Sequence, residues 1–109
     1  MTLPKQLITG AMTYHIRYDE LAGDNNENGS CLINKGIISV APGLDVNRER
    51  IVIAHEWVHA LLDASGLTCG EGPILDAEKE EIVCHLLGPI LLESIRKSRS
   101  MISYFQGRE

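Results

Sequence analysis

Three observations predict an α+β fold. Short segments with period-two alternation occupy the chain up to Val40, and long segments with helical periodicity occupy it from Val46 onward. Glycine, proline and asparagine-rich stretches punctuate the boundaries between them. The third observation is size: 109 residues suit one domain, residues 1–109, with one modest core. The expected architecture is a small twisted N-terminal sheet, antiparallel or mixed, packed on a first helix and on a second, Pro-kinked helix.

Taken in order, Lys5–Ile8 and Met12–Tyr18 read as strands around Thr9-Gly10-Ala11. Tyr14, Ile16 and Tyr18 alternate with Thr13, His15 and Arg17, the period of a half-buried strand. The polar run Gly23–Gly29 reads as a mobile loop. Cys31–Asn34 and Ile37–Val40 bracket Lys35-Gly36 as a hairpin, and the β-branched Ile37, Ile38 and Val40 favour a strand. Asp45 or Asn47 is placed to cap a helix over Val46–Ala64, which Gly66 stops in a left-handed conformation. Asp76 caps a second helix whose apolar face reads as Ile82, Val83, Leu86, Leu87, Ile90 and Leu91. Pro89 lies within it and removes a hydrogen bond to the carbonyl of His85, so a kink at Gly88-Pro89, or two consecutive helices, is expected. The helical pattern fades near Ser98–Ser100.

Composition narrows the partners. The net charge is -5, which disfavours nucleic acid. The one basic cluster, Arg96-Lys97-Ser98-Arg99, suits the last turn of a helix better than a phosphate. Cys31, Cys69 and Cys84 are an odd number without paired spacing, so neither a disulfide framework nor a cysteine zinc site is signalled, and the reducing cytoplasm fits best. No apolar run approaches the roughly 20 residues that a membrane span requires. With one Trp and one Phe, aliphatic side chains must fill the core.

The chemistry sits in the first helix. His55-Glu56-Trp57-Val58-His59 places two imidazoles about 40° apart on one helix face, able to grip one metal ion. Glu56 lies beside them, placed to take a proton from a metal-bound water. A catalytic zinc generally takes a third protein ligand. The extension of this motif that ends in a third histidine is excluded, because its glycine and histidine positions hold Leu62 and Ser65. A glutamate from the second helix remains. With Val83 at the centre of the buried face, Glu80 lies about 60° away, Glu78 about 140° and Glu81 about 160°, so periodicity alone favours Glu80. His85, one turn beyond Glu81, could be a ligand, could orient one, or could be an ordinary helix histidine. His15, Tyr14, Tyr18 and Tyr104 are candidate oxyanion donors.

Glu81-Ile82-Val83-Cys84-His85-Leu86-Leu87-Gly88 resembles the ligand helix of the thermolysin-like gluzincins, in which a glutamate ligand precedes small and aliphatic residues and then glycine. The shorter architecture is closer to the small zincin-like proteins of phages and prophages and to the ImmA/IrrE metallopeptidase group. This resemblance implies that Glu81 is the third ligand, with Glu80 a supporting or surface carboxylate. His85 stands where the family has an acidic residue. It further implies a zinc (Zn2+) metallopeptidase, with His55, His59 and Glu81 on the metal and Glu56 as general base. The substrate would be a peptide or protein, held extended along an exposed strand between Cys31 and Val40. Two other classes stand beside it: a zincin-like module that binds metal without turnover, and a phage or prophage regulatory protein acting on a protein partner. A zinc ribonuclease is disfavoured by the acidic charge.

Overall fold

The computed structural model describes residues 2–20, 22 and 28–107. Four strands, β1 (Gln6–Thr9), β2 (Met12–Tyr18), β3 (Gly29–Leu32) and β4 (Ile37–Val40), form one sheet in the order β1-β2-β4-β3. Three helices follow: α1 (Val46–Ser65), α2 (Ala77–Lys97) and α3 (Arg99–Phe105). The fold is α+β. Residues 23–27 of the expected mobile loop lie outside the described residues, and Gly29, expected to close that loop, begins β3.

The sheet is mixed. β1 and β2 pair antiparallel through a two-residue turn, Thr9 opposite Met12, with Gly10 at the positive φ of 57° that such turns favour. β4 pairs parallel with β2 and antiparallel with β3. The β3–β4 turn is a short 3-10 segment, Ile33–Lys35, closed by Gly36, whose N–H donates to the carbonyl of Ile33 at 3.2 Å. β4 is interior and β3 is an outer edge. The residues of β4 show the difference: Ile38, Ser39 and Val40 are all buried.

α1 lies between the sheet and α2. On one side Ala60 meets Tyr14 and Ile38, with Leu7, Ile16, Cys31 and Ile33 packed around them. On the other, Val58 and Leu62 meet Cys84, with Leu67, Leu75, Val83 and Leu91 around them. The scarcity of aromatics is met in an unexpected way, since the completely buried Tyr14 anchors the first of these clusters. Asp45 caps α1 by accepting from the Arg48 N–H at 2.9 Å, and Gly66 ends it at φ 83°. Asp76 caps α2 by accepting from the Lys79 N–H at 2.9 Å.

Two expectations about α2 need correction. Of the two alternatives at Gly88-Pro89, two consecutive helices are not formed: α2 runs as one helix through Pro89 to Lys97, and α3 begins only beyond Ser98. Proline removes one hydrogen bond from a helix of 21 residues whose neighbouring turn is held against α1. The second correction concerns its buried face. Cys84 and Gly88 are the buried residues, whereas Ile82, Leu86, Leu87 and Ile90 are exposed and only Val83 and Leu91 are half-buried. Small side chains let two helices approach closely, so the α1-facing stripe is the stripe with the least apolar bulk. Among the described residues no helix is long and apolar enough to cross a membrane.

Candidate metal centre

His55 and His59 are held on α1 by ordinary helix geometry, one turn apart, with ring centroids 5.1 Å apart. α2 crosses α1 at this point. A Cβ on Gly88 would lie 3.0 Å from the His55 Cα and 3.1 Å from its backbone nitrogen, so glycine is what permits the approach. Glu81 lies seven residues before Gly88 and therefore on the same face of α2. Its carboxylate spans the two imidazoles: Oε1 is 2.8 Å from His55 Nε2 and Oε2 is 3.1 Å from His59 Nε2. One ligand atom from each of these three residues lies within 4.8 Å of the others. Donors about 2.1 Å from a tetrahedral zinc stand roughly 3.4 Å from one another, so this spacing is close to that of a metal's coordination edges. The three residues fit a metal ion.

Glu80, favoured by helical periodicity, also has a place. Its Oε2 lies 2.5 Å from His59 Nδ1. A neutral imidazole has a single N–H. Donated from Nδ1 to Glu80, it leaves the Nε2 lone pair directed at the cluster, where a cation could sit between it and Glu81. Burial lowers the pKa of His55 below its ordinary value, with His59 and His85 adding to the effect and Glu81 opposing it. That keeps an imidazole neutral, the form that binds metal. A second group, His59, Glu80 and Cys84, lies behind the first. Burial pushes the Cys84 thiol up to about 12, so it remains protonated at neutral pH.

Glu56 is 6% exposed and lines the same cleft. Its Oε2 would be 3.2 Å from a Cβ on Gly29, so the start of β3 passes close against the carboxylate. The cleft has a volume of about 610 Å³. Its walls are Asn28–Cys31 and Ile33 on one side, Ile51, Val52, His55, Glu56 and His59 as the floor, and Glu80, Glu81 and His85 on the other side. His85 is outside the donor cluster and stands exposed at this wall.

The other candidates fall elsewhere. Tyr14 is buried in the core, Tyr18 donates to Glu49 Oε1 at 2.7 Å, and Tyr104 is exposed on α3. None of these, nor His15, lines the cleft. Gly29 is a structural part of the site that sequence reasoning did not identify, and Gly88 entered it only as the closing glycine of the gluzincin-like segment, without its packing role. For Gly88 a signal existed: with Cys84 it places small residues at i and i+4 on the face that carries Glu80 and Glu81.

No protein-family model, curated protein or solved structure matches the chain.

Proposed function

We propose that this chain is a zinc-dependent metallopeptidase in which His55, His59 and Glu81 hold the ion and Glu56 is the general base. The observation that carries the reading is the convergence of both histidines on the two oxygens of Glu81, with Glu56 buried alongside in one cleft. The resemblance of the two motif segments to small phage and prophage zincin-like proteins, of gluzincin type, points the same way. An ion held there supplies Lewis acidity, polarising a carbonyl and acidifying water.

The protein's own groups divide the remaining work. Glu80 fixes the His59 ring through Nδ1 and leaves Nε2 for the ion. Glu56 takes a proton from water on its carboxylate and delivers it to the leaving amine. It is buried beside Gly29, where the start of β3 closes over its carboxylate. The outer edge of β3 forms one wall of the cleft, so an extended peptide can add to it as a further strand. With the tyrosines elsewhere, His85, Asn28 and Ser30 are the cleft side chains left to donate to the carbonyl oxygen. The substrate is accordingly a peptide or protein segment, in keeping with action on a cytoplasmic protein partner.

The test combines metal content and cleavage on one preparation. Protein purified without an affinity tag is expected to take up one zinc per chain and to cleave an unstructured protein substrate. Glu56→Gln is expected to retain the zinc and lose cleavage by at least about a hundredfold. Zinc uptake without cleavage by the wild type identifies a binding module instead. Absence of zinc uptake removes the whole reading.

A further inference from the structure

α2 carries two faces of different character. Towards α1 it presents Glu80, Cys84 and Gly88. On the opposite side Ile82, Leu86 and Ile90 recur every fourth residue and are 53%, 60% and 62% exposed. Side chains at this spacing form one stripe, and Leu87 widens it. Together they expose on the order of 400 Å² of contiguous apolar surface, within the range of the largest patch on a typical monomer, which is often functional. The stripe ends in opposite charges, with Lys79 one turn before Ile82 and Glu93 one turn after Ile90. Lys79, Ile82, Leu86, Ile90 and Glu93 are therefore spaced symmetrically about Leu86, with charge reversed from end to end.

We propose that this face is an interface between two copies of the chain, with the α2 helices antiparallel about a two-fold axis at Leu86. Leu86 then meets its counterpart, Ile82 meets Ile90, and Lys79 faces Glu93 at both ends. Only the antiparallel arrangement sets opposite charges against each other, since parallel helices would set Lys79 on Lys79 and Glu93 on Glu93. Among the described residues Lys79 makes no ion pair. Glu93 meets Lys97 at 3.1 Å and Arg96 at 3.6 Å on its own helix, and it is half exposed, so a further cation can reach it. The apolar area is below the roughly 800 Å² per partner of a standard interface, which makes the dimer concentration-dependent, in the micromolar range or weaker. Glu80 stays turned towards α1, so pairing leaves the metal centre intact.

Sedimentation analysis of the whole chain from about 1 μM to about 1 mM tests the association. A dimer that grows with concentration is expected. Leu86→Glu is expected to weaken it at least about a hundredfold while helical circular dichroism and zinc uptake stay unchanged, because the residue is already exposed in the single chain. Lys79→Glu alone and Glu93→Lys alone are expected to weaken the dimer, and the two together to restore it. The register is tested by oxidation in a Cys69→Ser background. Leu86→Cys is expected to cross-link with itself, and an Ile82→Cys sample only when mixed with Ile90→Cys. A chain that stays monomeric over the whole range overturns the proposal and assigns the stripe to a different partner. A dimer indifferent to Leu86→Glu, or one in which Ile82→Cys links to itself as readily as Leu86→Cys, overturns it as well.

Discussion

Gly88→Ala tests whether the approach of α2 to α1 sets the metal centre. The added methyl would lie 3.0 Å from the Cα of His55 and 3.1 Å from its nitrogen. Both are backbone atoms of a packed helix and cannot swing aside. Carbon contacts are comfortable from about 3.5 Å, so α2 must retreat by about half an ångström. Glu81 shares the face of Gly88 and moves with it, lengthening its 2.8 Å and 3.1 Å contacts with the histidines. Two terms oppose each other in stability. Alanine gains about 1 kcal/mol of helix propensity over glycine, and overpacking costs about 1–3 kcal/mol. The expected net loss is about 0–2 kcal/mol. Metal affinity has no such compensation, because coordination tolerates only about ±0.2 Å. A loss of about tenfold or more is expected, from the link between metal fit and affinity. Competition against a chromophoric chelator gives the affinity, and urea unfolding of the metal-free protein gives the stability. A variant that binds zinc like the wild type and is more stable refutes the idea that this contact sets the geometry.

Other outcomes follow from the same structure. Glu81→Ala should weaken zinc binding by more than Glu80→Ala, which should cost about 10–100-fold because only the support of His59 is lost; chelator competition on both variants decides, and the reverse order would make Glu80 the ligand. Burial pushes the Cys31 and Cys84 thiols up to about 12 from 9.0. Unfolded thiols lose their protons first as pH rises past 9.0, so the folded state binds more protons and stability of the metal-free protein falls between pH 9.0 and about 12. Denaturant midpoints at about pH 8 and about pH 10 measure this, and the paired Cys31→Ala and Cys84→Ala variant should flatten the slope. Asp76→Ala removes the cap of α2 and should cost about 1 kcal/mol, read as a fall of roughly 4 °C or more in melting temperature.

The helix ends were legible because each is written in one residue: Asp45 and Asp76 accept the free N–H groups, and Gly66 takes the left-handed stop. The alternation in β2 was legible for the same local reason. The parallel pairing of β2 with β4 was not, since nothing local in either strand states its partner. Periodicity misjudged the rotation of α2 because it assumes that the largest apolar residues are buried, and here Ile82, Leu86 and Ile90 are left outside. At the site, the spacing of His55 and His59 indicated two donors directly. Helical periodicity selected Glu80 and the gluzincin resemblance selected Glu81. In the folded chain the first meets Nδ1 of His59 and the second meets both Nε2 atoms, a division of work that no count of helix angles could express.

Because His59 and Glu81 belong to different helices, an ion gripped by both would also act as a covalent-like staple. It would close a loop of about 22 residues that includes the whole α1–α2 connection, as a disulfide would. Restricting the unfolded chain over such a loop is worth roughly 3 kcal/mol. The α1–α2 layer contains Cys84 and Gly88 where larger side chains would otherwise contribute cohesion. Folding and metal loading would thereby be coupled, because loss of the ion would release the constraint between α1 and α2.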